Sequence, residues 1–185
     1  MVRSRTAVVT GAPGAGKTAL IDELSRRGLR TVSETARAIL LKPGGMALRT
    51  EDPLGFAEAM IAREVADLEA VPDDGEWTVF DRGIGDSLGF ARLIGVELST
   101  STLQYATSFG YSGPIFVASA WRDIFHGDSE RTQTWDEAVA SGESVEAMWR
   151  ELGYELAKLP LASLAHRADL VEASLAKAEA GYSPG

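Results

Sequence analysis

Gly11-Ala12-Pro13-Gly14-Ala15-Gly16-Lys17-Thr18 is the stretch on which the fold turns, because it matches G-x-x-x-x-G-K-[ST] at every fixed position. In that pattern a glycine-rich turn curls so that successive backbone N–H groups point at phosphate oxygens. The run Thr6-Ala7-Val8-Val9-Thr10 before it reads as a buried strand. From Lys17 to about Arg27, where Gly28 stops it, the chain reads as a helix whose positive end meets the anion. On this reading Gly11, Ala12, Gly14, Ala15, Gly16 and Ala19 cradle a triphosphate, Lys17 sets a mobile charge against the β/γ-phosphates, and Thr18 offers a hydroxyl to Mg²⁺. Pro13 has no N–H to give and shapes the loop instead. A bare strand-to-helix turn could carry the same glycines; the strand before and the helix after favour nucleotide binding. The expected cofactors are ATP and Mg²⁺.

Outward from the loop, strands and helices alternate. Arg30-Thr31-Val32 is a short strand, and Ser33-Glu34-Thr35-Ala36-Arg37 begins a helix that Lys42-Pro43-Gly44-Gly45 ends. Asp52 as N-cap and Pro53 at the first helical position open a helix to about Ala70, with Phe56, Met60, Ile61, Val65 and Leu68 on one face and an acidic face toward water. Trp77-Thr78-Val79-Phe80-Asp81 is a third strand, short helices are expected near 87–94 and 100–109, and Pro114 to Ala118 is a fourth strand. Thr134 and Glu137 form a capping box for a helix to about Leu152; Tyr154 to Leu159 is a fifth strand, 161–179 a closing helix, and 180–185 a frayed tail. Strands separated by helices favour an α/β fold with a parallel sheet wrapped on both faces and ligands at the carboxyl ends of the strands. The expectation is one P-loop NTPase domain over 1–185, a small-kinase-like three-layer sandwich with about five strands.

Candidate chemistry falls at those strand ends. Asp81 closes the third strand, where a carboxylate can organise Mg²⁺ or engage an acceptor hydroxyl; the alternative is an Asp that caps the next turn. Arg82 and Asp86 follow as candidates for handling the acceptor. Glu34 and Arg37, three residues apart, would share a helix face, one serving the hydroxyl and the other an anionic group, unless they form a solvent-facing ion pair worth a few tenths of a kcal/mol. Asp81 and Glu34 stand as rival bases. The two histidines, His126 and His166, lack metal-pair spacing and read as structural or surface residues. Ser87 reads as a helix cap, Trp135, Met148 and Trp149 as core, and Trp121 as packing or a ring stack.

The phosphate loop, Glu34-Thr35-Ala36-Arg37, Asp81-Arg82-Gly83, Asp128-Ser129-Glu130-Arg131, and Leu152-Gly153-Tyr154-Glu155 with Leu159-Pro160 together resemble the AAA-type predicted ATPase/kinase family related to ribosylnicotinamide kinase domains, over about residues 6 to 175. The resemblance implies nucleotide binding on a kinase-like fold. In small kinases a lid follows the fourth strand, which here is 121–133. Phosphoryl transfer spreads negative charge over equatorial oxygens, so an arginine delivered by such a lid lowers the barrier; Arg131 is the first candidate and Arg122 the second.

Composition narrows the partners. The 185 residues carry a formal net charge of -9 and no cysteine, which removes disulfides, thiolate metal sites and thiol nucleophiles and fits a cytoplasmic location. No apolar run nears the roughly 20 residues of a membrane span, and the acidic balance argues against nucleic acid and anionic membranes as partners. The charge is uneven: residues 1–50 hold nine Lys/Arg against three Asp/Glu, whereas 51–76 hold one against nine. The anionic ligand is therefore sought in the first fifty residues. The expected activity is transfer of the γ-phosphoryl group of ATP to a hydroxyl of a small molecule. The rival readings are a nucleotide-dependent ATPase or GTPase switch that binds a protein partner, although no N-K-x-D motif is present, and a module that keeps the nucleotide site for stability alone.

Overall fold

The computed structural model describes residues 4–125 and 134–181. Five parallel strands, β1 (Arg5–Gly11), β2 (Arg30–Val32), β3 (Trp77–Asp81), β4 (Ile115–Ala118) and β5 (Leu156–Leu159), form one sheet in the order β2-β3-β1-β4-β5. Eight α-helices connect them: α1 (Lys17–Arg26), α2 (Thr35–Leu40), α3 (Gly45–Glu51), α4 (Pro53–Glu69), α5 (Ile84–Leu93), α6 (Thr100–Thr107), α7 (Trp135–Glu151) and α8 (Leu164–Gly181).

Side chains alternate across a pleated strand, and the central strands are apolar on both faces because both are covered. Ala7 and Val9 of β1, Val79 of β3 and Phe116 of β4 pack with Leu20 and Leu24 of α1 and Val171 and Leu175 of α8. Val8, Phe80 and Ile115 point the other way, into a core with Ile61 and Val65 of α4, Ile84 of α5 and Trp149 of α7. The two cores are the interfaces between the sheet and the helix layer on each face of a three-layer sandwich. Register then places the site: Val9 pairs with Asp81 and Gly11 with Ala118, so the phosphate loop leaves the middle strand between the ends of its neighbours. Gly11, at φ +120, lies so close to β4 that a Cβ there would sit 2.1 Å from the Ala118 carbonyl oxygen. Only glycine fits that exit.

Most expected elements are present, with shifted ends. The helix expected near 87 begins at Ile84, because Asp86 accepts the Gly83 N–H at 3.2 Å and starts the helix one turn earlier. The fifth strand begins at Leu156 rather than Tyr154, whose hydroxyl turns inward to accept the Tyr111 N–H at 2.9 Å. Helix α3 fills a stretch read as a plain break, its start released by Gly44 in the left-handed region at φ 79. Asp52 caps α4 by accepting the Gly55 N–H at 2.9 Å, and Thr134 and Glu137 make the expected box at α7. Helix α8 runs to Gly181; the rest of the expected tail lies outside the described residues.

Three side-chain readings need correction. Ser87 caps nothing: it is buried inside α5, and its hydroxyl donates to Glu64 at 3.0 Å. The polar side of α4 is not wholly in water, since Glu64 is buried with the core-facing residues Met60, Ile61 and Val65. Trp135 is only half-buried, at the start of α7, with the Phe125 ring against it at 5.4 Å; Met148 and Trp149 are core as expected. Among the described residues no helix is long and apolar enough to cross a membrane.

Candidate functional site

The loop itself supplies the first part of the site. Gly14 and Gly16 take left-handed φ values of 72 and 75, which L side chains resist, so the backbone turns tightly; contrary to the expectation for Ala12, its N–H is committed to the Ala118 carbonyl at 3.0 Å. Buried Arg167 of α8 holds the loop from behind, donating through Nη1 to the Ala15 carbonyl at 3.1 Å. Lys17 is buried, and without a phosphate its ammonium donates to the carbonyls of Gly11 at 3.2 Å and Ala12 at 2.6 Å. Burial, and then the neighbouring Arg82 cation, pull its pKa down to about 7 against the opposing pull of Asp81, Glu34 and Asp86. A lysine so placed is under-neutralised and suited to an arriving polyanion.

Asp81 stands beside it. Its Oδ2 accepts from the Thr18 hydroxyl at 3.2 Å, while Oδ1 is buried with no hydrogen-bond partner. Burial raises the carboxyl above its ordinary value, partly offset by Lys17. A hydroxyl and an unsatisfied carboxylate oxygen at the mouth of a phosphate loop fit Mg²⁺, which is commonly held by one or two protein oxygens together with substrate phosphates. No cluster of three or more His, Cys, Asp or Glu suited to a metal occurs among the described residues, and this arrangement does not require one.

The turn after β3 links the loop to the α2 side of the site. Arg82 adopts φ 72, a left-handed value unusual for a side-chain-bearing residue. In that conformation its guanidinium bonds Glu34 Oε1 at 3.0 Å, Asp86 Oδ1 at 2.8 Å and the Gly11 carbonyl at 3.2 Å. Burial opposes its charge, but Glu34, Asp86 and Asp81 outweigh that and raise its pKa. Asp86 is the hub: beyond Arg82 and the Gly83 amide it takes the Thr10 hydroxyl at 2.8 Å and the Trp149 indole N–H at 3.1 Å. Its oxygens are thus committed to the protein, and its evident work is to hold β1, the Arg82 turn and α7 together. Asp86→Ala should lower stability by about 3 kcal/mol or more, since it removes a buried carboxylate on which Arg82, Thr10 and Trp149 converge. Chemical denaturation measures this; a loss below about 1 kcal/mol would contradict the hub.

These groups open onto a cavity of about 620 Å³. On one side it is lined by Pro13, Gly14, Gly16, Lys17, Thr18 and Ala19 of the loop and following helix. On another it is lined by Glu34, Arg37 and Leu40 from the α2 region and Arg49 from α3. Phe56, Met60 and Glu64 of α4 and Arg82, Asp86, Ser87 and Phe90 also line it. The basic groups around it, Lys17, Arg37, Arg49 and Arg82, come mostly from the basic first fifty residues. Glu34 stands at the N-cap of α2 rather than inside it with Arg37 as expected, and its carboxylate pairs with Arg82.

Sequence reasoning passed over Arg49, Arg167, Ser87 as a pocket residue and, above all, Glu64. Phe56, Met60 and Glu64 are spaced four apart, so they stack on one helix face; that spacing was the available signal. Burial pushes the Glu64 carboxyl well above its ordinary value, Ser87 opposes, Asp86 adds to the rise, Arg82 opposes it, and Asp67 adds again. The sign of the resulting linkage is definite. Unfolded Glu64 ionises near 4.5, folded Glu64 only at higher pH, so its contribution to stability falls as pH rises through that interval. Glu64→Gln cannot ionise, and its melting temperature relative to the parent should climb as pH rises above about 4.5. A difference that is constant with pH would show that Glu64 is not buried in this way.

The lid candidates divide. Ile124 lines the cavity, and the Phe125 ring lies against Gly14, where a Cβ would come within 2.7 Å of it. Trp121 donates its indole N–H to Asp123 at 3.2 Å, and Arg122 is exposed with its guanidinium 4.9 Å from the centre of the Trp135 ring. Arg122 is thus held by an aromatic face rather than lining the cavity. Arg131, His126, Asp128 and Glu130 lie outside the described residues. His166 is exposed on α8.

Fold and loop define the class: an α/β P-loop protein with the architecture of small kinases. The sequence matches the AAA domain family over residues 6–167, and the chain belongs to that family. Among solved structures it is similar to deoxyadenosine kinase from M. mycoides with bound dATP, at a TM-score of 0.67 and 12% identity, covering 92% of this chain and 99% of that one. NadR protein in complex with NR gives a TM-score of 0.71 at 18% identity, covering 94% of this chain and 52% of NadR. YorR protein from Bacillus subtilis in complex with phosphorylated GDP gives 0.61 at 11% identity, with 96% and 99% covered. No curated protein matches the sequence. The family expected from the motifs and the three-layer parallel fold are both borne out.

Proposed function

We propose that the chain is a phosphotransferase that moves the γ-phosphoryl group of ATP to a hydroxyl of a small molecule, and that the acceptor is a nucleoside or nucleoside-like compound. The observation that carries the reading is one continuous cavity lined by the phosphate loop and by the Glu34–Arg82 pair. At about 620 Å³ it has room for more than a triphosphate tail. A hydrolase would need only a water beside the γ-phosphate. The three similar structures, with dATP, NR and phosphorylated GDP in their descriptions, favour nucleoside chemistry.

In the proposed mechanism the loop amides and Lys17 hold the triphosphate. Thr18 and Asp81 would hold Mg²⁺, which neutralises charge on the phosphate oxygens when bound. Glu34 accepts the proton of the acceptor hydroxyl as that oxygen bonds to the γ-phosphorus. The bond from that phosphorus to the bridging oxygen breaks, releasing ADP. Glu34 is preferred over Asp81 as the base because Glu34 lines the cavity, whereas Asp81 is bonded to Thr18 below it. Arg82 holds Glu34 in place through its Nε. The whole chain is proposed to act as one kinase-like domain, with the segment from 121 as its lid.

The test is incubation with γ-labelled ATP, Mg²⁺ and a pool of nucleosides. Label should appear in a nucleoside monophosphate; label in inorganic phosphate alone, across nucleoside and sugar pools, would overturn the kinase reading.

A further inference from the structure

Glu64 is buried at the cavity wall formed by α4 and α5, yet only half of its carboxyl is used: Oε1 accepts from the Ser87 hydroxyl at 3.0 Å, and Oε2 has no partner. A buried polar atom left unsatisfied costs about 1–3 kcal/mol, so an orphan in a ligand cavity calls for the group that completes it. Its surroundings describe that group's body. Met60 lies one turn before Glu64 and Phe56 two turns before, and Phe90 from α5 meets Phe56 edge-on at 5.9 Å, all four residues lining the same space. That wall suits a flat apolar ring rather than a sugar or a free anion.

We propose that Glu64, steadied by Ser87, reads a hydrogen-bond donor on the heterocycle of the acceptor, an uncharged exocyclic amine, while the ring lies against Met60 and Phe90. The inference rests on the acceptor reading above and adds the residue that selects the ring. Because burial holds the carboxyl toward its neutral form, an uncharged partner is favoured over a cation. No proton or bond is transferred at this site.

The experiment compares deoxyadenosine with purine deoxyriboside, which lacks the amine, on the full-length chain saturated with AMP-PNP and Mg²⁺, by calorimetry, with turnover of labelled ATP measured in parallel. The unsubstituted protein should bind deoxyadenosine about tenfold or more tightly than the amine-free ring. Glu64→Met should erase that preference, Glu64→Gln should keep most of it, and the affinity for AMP-PNP should stay within about twofold in both. Ser87→Ala, which frees the carboxyl without removing it, should reduce the preference and serves in place of Glu64→Met if that variant does not fold. Equal preference in Glu64→Met and the parent, or no binding of either compound by the parent, overturns the proposal. Binding with the Glu64-dependent preference but without phosphoryl transfer upholds the site and sinks the kinase reading instead.

Discussion

Lys17→Ala is expected to bind ATP·Mg²⁺ at least about 100-fold more weakly, a loss near 3 kcal/mol, because the ammonium makes charge-assisted bonds to phosphate that water replaces poorly. The nucleotide-free protein should not suffer. Lys17 is buried among the loop carbonyls, and burial with the adjacent Arg82 cation pulls its pKa to about 7. Its charge is therefore disfavoured until a triphosphate arrives, and alanine removes that disfavoured charge. Calorimetry should record the lost affinity while the apo melting temperature stays level or rises. Unchanged affinity would refute the loop assignment. A collapse in apo stability would show instead that the bonds to Gly11 and Ala12 are what hold the loop in shape.

Glu34→Gln should reduce turnover by about 10²–10⁴-fold, the usual range for loss of a general base, while the ATP dissociation constant moves only a few-fold. The amide keeps the shape and a carbonyl oxygen toward Arg82 but cannot take a proton. Asp81→Asn makes the comparison decisive. Asp81 is bonded to Thr18 and has a buried oxygen with no partner, so its loss should raise the Mg²⁺ concentration needed for half-maximal rate. If Glu34→Gln turned over normally while Asp81→Asn lost turnover at saturating Mg²⁺, the base would be Asp81 and the Arg82–Glu34 pair would be a structural brace.

Much of the architecture was legible in the residue order because the signals were local. The strand before the loop, the helix after it, the Asp52-Pro53 start and the Thr134/Glu137 box each depend on neighbours within a few positions, where backbone preferences act directly. The misread ends have long-range causes. Helix α5 starts early because Asp86 is held by Thr10, 76 positions away in the chain, as well as by its own turn. Ser87 seemed a cap because its partner, Glu64, is 23 positions off on another helix. Glu34 also meets Arg82, 48 positions away, a contact that local spacing could not show.

What the residue order alone determined is the phosphate-loop motif and the parallel α/β arrangement around it, since both follow from short-range geometry and alternating burial. Which carboxylates face the ligand was decided only by tertiary structure. Asp81, Asp86, Glu34 and Glu64 are all carboxylates near apolar runs, and their place in the chain does not show which donors reach them. Folding gives the first to Thr18, ties the second into a buried network at the cavity wall, and leaves Glu34 and Glu64 on the same cavity. The physical reason is that a carboxylate's role depends on which donors reach its oxygens and how much water is excluded, and both are set by segments far apart in the chain.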